Sequence, residues 1–306
     1  LRSPPIRIQT LPLNGIEIRG EFTNQRLRIP VFRINDARGS LQLSVEWDKG
    51  NGNLNASLLS SLDIAPILQL FGNENGALSK LKLPLPPRLS VDLKGNTLTD
   101  PKGITATGEF MAPKIEFGNL QLTDAGLNFS WRNGVVYARD IKAAAKRGEL
   151  SALLWAAPGD YRLDVKTTIP PSDIADLVDK NTRAFLENME FDDLPQISGS
   201  IRATRLDFPS ITGNAHLQLG RTANRGSWID SGVADVVIAN QCVTYQNIVI
   251  NTGKGRGTGA FDYDVGRKEV RLKDIVSTLV PVDVMMWIDP RIAETIRPYR
   301  FRAAPK

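Results

Sequence analysis

The stretch Thr252-Gly253-Lys254-Gly255-Arg256-Gly257-Thr258-Gly259 holds the densest set of residues suited to binding an anion, with two cations set between four alternate glycines. Its spacing is not that of a phosphate loop, where lysine follows the last glycine and precedes Ser or Thr at a helix start. In an extended strand the glycines share one face and Lys254 and Arg256 the other. A bare face permits close backbone packing or a bend, and the two cations remain candidates for contact with a phosphate-bearing headgroup. The close carboxylate pairs, Asp192-Asp193 and Asp262-Tyr263-Asp264, are the places where acid–base or metal chemistry would be sought. Solvation at strand ends and loops accounts for both. One cysteine, Cys242, excludes an internal disulfide, and one histidine, His216, excludes the common His-rich zinc sites. Cys242 lies in the apolar run from Ile238 to Ile250, where a thiol acts as a small hydrophobe. We therefore expect no enzyme activity, no catalytic or metal-binding residue and no cofactor.

The elements that position these residues come from a repeat. Arg38-Gly39, Arg147-Gly148 and Arg256-Gly257 recur every 109 residues, and Asp63-Ile64-Ala65, Asp173-Ile174-Ala175 and Asp283-Val284-Met285 every 110. Each unit opens with proline before a short alternating run, as in Pro86-Pro87-Arg88-Leu89-Ser90-Val91 and Leu194-Pro195-Gln196-Ile197. The expected organisation is unit 1 over 1–80, unit 2 over 81–190, and unit 3 over 191–306 with the start of a fourth. Unit 1 is shorter between its glycine-ended strand and its Arg-Gly mark, by about the length of one hairpin. The chain opens without Met and contains no apolar stretch of about 18 residues, which leads to the expectation of a segment of a longer protein whose anchor lies outside it.

Within each unit the hydrophobic pattern alternates, as successive side chains of a strand do. Leu89, Val91 and Leu93 alternate with polar residues, as do Leu127, Phe129 and Trp131, then Tyr161, Leu163 and Val165, and Val270 and Leu272 near the C-terminus. Lys49-Gly50-Asn51-Gly52-Asn53, Arg132-Asn133-Gly134 and Pro158-Gly159-Asp160 are hairpin connections. Helix is expected once per unit, after the acidic mark: Asp63 to Phe71, Asp173 to Met189 with Asp173 as N-cap, and Val282 to Ile296 broken at Asp289-Pro290. The fold class is thus mostly β, a repetitive antiparallel meander with one short amphipathic helix per repeat.

One such helix is too small to cover the apolar face of some six strands. Two arrangements bury that face: closed β-domains in tandem, or a continuous curled sheet whose inside takes an apolar ligand. Prolines that run straight into the next strand, and a unit that lost a hairpin without ending the array, favour the continuous sheet. These alternating residues are then its candidate groove lining, and Arg38, Arg147, Lys254 and Arg256 its candidate headgroup contacts.

The composition is that of a folded protein, with 42% hydrophobic and 23% charged residues and a net charge of +5. The cations are dispersed, without the basic face and interleaved aromatics of a nucleic-acid binder.

The strand Ile197-Ser198-Gly199-Ser200-Ile201-Arg202-Ala203, the stretch Gly257-Thr258-Gly259-Ala260-Phe261-Asp262-Tyr263 and the helix closing each unit resemble the AsmA-like proteins, in particular their C-terminal repeat regions and the related TamB group. The resemblance spans the chain and rests on strand grammar. It implies a long taco-shaped β-groove in the periplasm of a Gram-negative bacterium, tethered to the inner membrane by an anchor outside these residues. It also implies non-enzymatic shielding or conduction of phospholipid, or another acyl-chain lipid, between inner and outer membranes, with outer-membrane or envelope proteins as further partners. The alternative expectation is a structural or adhesive repeat protein of closed β-domains without ligand.

Overall fold

The chain is mostly β, 66% strand and 10% helix, and its strands pair into antiparallel sheet that does not close on itself. The computed structural model describes residues 2–3, 6–8, 11–62, 81–95, 103–177, 180–205, 207–288, 293–295 and 297–298. Two compact units result, one of residues 1–146 and 152–158 and the other of residues 147–151 and 159–306.

In the first unit, three short strands, β1 (Arg2–Ser3), β2 (Ile6–Ile8) and β3 (Leu11–Leu13), precede the meander β4 (Gly15–Phe22), β5 (Arg26–Asn35), β6 (Ser40–Asp48) and β7 (Leu54–Ser60). After the short β8 (Leu81–Lys82) come β9 (Arg88–Gly95), β10 (Ile104–Phe117), β11 (Leu120–Arg132) and β12 (Val135–Ala145). Each main strand pairs antiparallel with the next, and β7 pairs with β9. The turn between β11 and β12 is built by Asn133 and Gly134, both at positive φ, which matches the twist of the flanking strands. Strand β13 (Glu149–Ala157) carries the boundary between the two units.

The second unit contains β14 (Asp160–Thr167), a 3-10 helix over Pro171–Leu177, an α-helix over Lys180–Leu186 and β15 (Met189–Phe191). Strands β16 (Gln196–Ala203), β17 (Ile211–Leu219), β18 (Thr222–Asn224), β19 (Ser227–Ile229), β20 (Ser231–Ala239), β21 (Cys242–Thr252), β22 (Gly255–Asp264) and β23 (Glu269–Ser277) follow, then an α-helix over Pro281–Ile288. Its sheet runs β14-β16-β17-β20-β21-β22-β23, and β15, β18 and β19 form a separate small sheet.

Two expected helices take a different form, and one falls outside the described residues. The single helix expected from Asp173 to Met189 is a 3-10 helix followed by a short α-helix, and Met189 already begins β15. Asp173 is not the cap because the 3-10 helix already starts at Pro171 and places it in the first turn, where its carboxylate pairs with the Arg147 guanidinium, and Pro170-Pro171 confine the chain at the entry. In the third repeat the helix starts one residue early, at Pro281, the position where proline is tolerated best. The expected helix from Asp63 to Phe71 and the Asp289-Pro290 break lie outside the described residues.

The Arg-Gly repeat marks a hydrogen-bonded clamp that ties two neighbouring strand ends. The Ser40 N–H donates to Ser61 Oγ (3.0 Å), the Ser61 N–H to the Ser40 carbonyl (2.7 Å) and the Leu62 N–H to Ser60 Oγ (3.2 Å). The same three bonds join Glu149, Thr167, Thr168 and Ile169 at 2.9–3.0 Å. They recur at Arg256, Ser277, Thr278 and Leu279 at 2.9–3.1 Å. The residue before each clamp is Gly39, Gly148 or Gly255, and a Cβ there would lie 1.9, 2.4 or 2.4 Å from the facing carbonyl oxygen. The counterpart of Arg38-Gly39 and Arg147-Gly148 is therefore Lys254-Gly255, two residues before the Arg256-Gly257 that the sequence spacing selects.

Candidate apolar binding site

Cross-strand register carries the alternation of single strands across whole sheets, because directly paired residues point to the same face. In the first unit one row runs Ile18, Phe32, Leu43, Leu58, Val91, Gly108, Phe129 and Ala138 from β4 to β12. On the same face lie Val45, Ala56, Leu93, Ala106, Trp131 and Val136, and beside them Leu89, Phe110 and Leu127. The opposite face is polar, as in the row Arg28, Glu46, Asn55, Lys94, Thr105 and Arg132. There Arg28 Nε donates to Glu46 at 3.0 Å.

The second unit repeats the arrangement. Val165, Gly199, Ala215, Val236, Tyr245, Phe261 and Leu272 form one apolar row from β14 to β23, and Leu163, Ile201, Gly213, Ile238, Val243, Tyr263 and Val270 another. Tyr161 heads the same face opposite Ala203, and the Tyr245 and Phe261 rings stack 4.4 Å apart. Burial among these neighbours pushes the Tyr245 hydroxyl above its ordinary pKa. The opposite face carries Asp164, Ser200, Asn214, Val237, Thr244, Asp262 and Arg271 in register, polar at all of these but Val237.

These apolar faces are only partly covered. Leu89, Val91, Leu93, Leu127, Phe129, Trp131, Tyr161, Leu163 and Val165 are half-buried, and Val270 and Leu272 are exposed. The fully buried apolar residues of the main strands are largely alanines, among them Ala106, Ala112, Ala125, Ala138 and Ala203. A second packed layer would instead bury the large side chains.

One part of the apolar face deepens into a cavity of about 270 Å³ in the second unit. Ile248, Ile250, Gly257, Gly259, Phe261, Leu272 and Ile275 from β21–β23 form its floor and wall, with Trp228 and Ile229 on one side. The helix Pro281–Ile288 covers it through Val284, Met285 and Trp287. Three hydrogen bonds pin that helix to the β18–β19 hairpin: Arg225 Nη1 donates to the Met286 carbonyl (3.0 Å), Ser227 Oγ to the Asp283 carbonyl (2.9 Å) and Trp287 Nε1 to the Ser227 carbonyl (2.8 Å). With its one donor satisfied there, the Trp287 ring lines the cavity as hydrocarbon. The glycines contribute by absence: a Cβ on Gly257 would meet Leu279 at 2.8 Å and one on Gly259 would meet Ile275 at 2.3 Å.

The candidate cations divide. Arg38 donates to the carbonyls of Leu83 (3.4 Å) and Pro84, and Arg147 to Asp173 and to Ser172 Oγ (3.3 Å), so both brace the chain beyond the clamp. Lys254 and Arg256 are exposed at the start of β22. The carboxylates are occupied structurally: Asp192 pairs with Arg221 (3.0 Å), Asp193 accepts the Arg221 N–H (3.0 Å), and Asp262 pairs with Lys273 (2.5 Å) and accepts from Thr244 Oγ1 (3.0 Å). Asp264 accepts the Arg267 N–H at 2.9 Å. His216 lies on the polar face against Asp235 (2.7 Å), and Cys242 is a half-buried free thiol. Among the described residues no group of His, Cys, Asp and Glu is placed to hold a metal, and no helix is long and apolar enough to cross a membrane.

Sequence reasoning missed most of the cavity. Its lining comes from the β18–β19 region, three strands and a helix, none of which is exceptional alone. The available signal was the bare glycine face of Gly257 and Gly259 in phase with the apolar face of its neighbours. No family model, curated protein or solved structure matches this chain.

Proposed function

We propose that this chain is a non-enzymatic envelope protein segment that shields or conducts phospholipid, or another acyl-chain lipid, along a curled, taco-like β-groove. The observation that carries the reading is the apolar cavity of about 270 Å³ beneath the helix Pro281–Ile288, continuous with uncovered apolar rows of sheet. An apolar cavity of about 150 Å³ already accepts a small hydrocarbon in place of water. Each methylene moved there from water contributes about 0.8 kcal/mol. Lys254 and Arg256, exposed at the start of β22, suit a phosphate headgroup left in water. The strand resemblance to AsmA-like proteins points the same way and supplies the setting: the Gram-negative periplasm, with an inner-membrane anchor outside these residues and envelope proteins as partners. The reading of closed β-domains without ligand calls for a second layer that buries the large apolar side chains, and those of the main strands are half-buried, which supports the groove instead.

Phosphatidylglycerol with brominated acyl chains tests the reading, because bromine quenches indole fluorescence at short range. Trp287 and Trp228 line the cavity, so saturable quenching is expected, smaller in Trp287→Phe and weakened by Ile250→Asp. Absence of quenching in the folded wild-type protein would contradict it.

A further inference from the structure

Beside the first two clamps, strand pairing gathers equivalent residues on the face opposite the apolar rows. In the first unit the row Gln42, Leu59, Ser90 and Glu109 crosses β6, β7, β9 and β10. In the second, Lys166, Ser198 and His216 cross β14, β16 and β17. A pocket of about 290 Å³ opens over the first row and one of about 390 Å³ over the second, sizes at the lower end of small-molecule sites. The ten residues that line one correspond in place to the ten that line the other. Ser40 and Glu149 begin the clamp strands, Leu59 and Lys166 precede the clamp hydroxyl residues, and Ser90–Glu109 and Ser198–His216 are equivalent cross-strand pairs. Each pocket combines short hydroxyl side chains, such as Ser60 and Ser90 or Thr167 and Ser198, with longer ones, such as Arg88 and Glu109 or Lys166 and Gln196.

The groups left without partners decide what fits. Each pocket holds one Lys or Arg and one carboxylate on neighbouring strands, Arg88 with Glu109 and Lys166 with Glu149. Among the described residues neither pair closes into a salt bridge, and the side chains of these four, like those of Gln196 and Gln218, make no hydrogen bond. Elsewhere on the same faces Glu46, Asp160 and Asp262 are paired with Arg28, Arg162 and Lys273. His216 gives its Nδ1 to Asp235 at 2.7 Å. A phosphate in either pocket would gain the cation and meet the carboxylate, and an amine or metal ion would do the reverse. A hydroxyl both donates and accepts, so a ring carrying several of them satisfies both charges and the amides together.

We propose that the two pockets are saccharide subsites, each taking one ring of a hydroxyl-rich glycan. The Arg88 guanidinium or the Lys166 ammonium donates to ring hydroxyls, and Glu109 or Glu149 accepts from them. In the first pocket the exposed apolar side chains Leu59 (57%) and Met111 (41%) meet the C–H face of the ring. These sites are independent of the lipid reading, because they lie on the opposite faces of the sheet, and their test contains no lipid.

Maltotetraose, cellotetraose and chitotetraose are each titrated into the full chain by calorimetry while amide hydrogen exchange is followed, with glycylglycine and inorganic phosphate as controls. At least one tetrasaccharide is expected to bind saturably and to slow exchange in residues 88–90 and 196–198. Arg88→Met and Lys166→Met change exposed side chains and should keep the wild-type far-UV spectrum. Each is expected to weaken binding at its own pocket about tenfold, the effect of losing a hydrogen bond to a charged group, and to leave protection at the other pocket unchanged. Absence of binding by all three sugars at about 10 mM, beyond the weak end of specific affinities, overturns the proposal. So does unchanged binding in the folded double variant, or binding of glycylglycine or phosphate where the sugars do not bind.

Discussion

Gly148 has φ +82° and leaves a Cβ only 2.4 Å from the Thr168 carbonyl oxygen, whereas Gly159 has φ +76° with nothing within 4 Å. Alanine at Gly159 therefore meets only the left-handed backbone cost, about 1 kcal/mol. Alanine at Gly148 adds a displaced clamp, and urea denaturation is expected to show a loss of about 2–4 kcal/mol there. Equal losses at the two sites would mean that the clamp is not rigid. The polar face makes a second claim at this scale. Arg162, with Arg202, holds the Asp160 carboxyl below its ordinary pKa, Asn247 and His216 do the same for Asp235, and Lys273 and Thr244 for Asp262. A lowered folded-state pKa contributes stability that is complete above the unfolded value and is lost as pH falls through the folded one. The thermal midpoint should therefore hold from neutral pH to about 5 and fall below the ordinary aspartate value of 3.8. Asp262→Asn should flatten that fall, and a midpoint independent of pH down to 2 would contradict it.

At the scale of strands and helices, alternation was legible and partners were not. Leu89, Val91 and Leu93 declare a shared face by spacing alone, and so do Leu127, Phe129 and Trp131. That the two sets meet across β10, through Phe110, Gly108 and Ala106, follows only from register. The helices were less legible because local context decides their ends: Asp173 reads as an N-cap, yet the 3-10 helix starts earlier, at Pro171, and Arg147 pairs with the Asp173 carboxylate. Register also identifies a sensitive position. Val91 lies between Leu58 and Gly108 in the longest apolar row of the first unit and is half-buried. A carboxylate there stays within reach of water, so Val91→Asp should fold with a cooperative urea transition close to wild type. It should reduce bound lipid by about tenfold, the effect of placing a polar group against hydrocarbon at about 1–3 kcal/mol. Loss of folding in Val91→Asp would instead assign that face to a closed core.

For the molecule as a whole, the repeat near 110 residues could be read from residue types, and the structure gives it a physical meaning in the three clamps. Among the described residues six main strands lead from the first clamp to the second and six from the second to the third, and four precede the first. Chemistry by residue type misled in one place, because Arg256-Gly257 mimics the earlier Arg-Gly pairs while the backbone clamp uses Lys254-Gly255. The three repeats also do not form three bodies: the boundary of the two compact units falls inside the second repeat, at β13. Open sheet with one apolar face, repeated in both units, is the property the lipid reading depends on. Native mass spectrometry with lipid extraction, on the chain purified from a Gram-negative periplasm, tests it most directly. The account predicts stoichiometric phospholipid released with the folded protein; a fully folded chain that is free of lipid would contradict it.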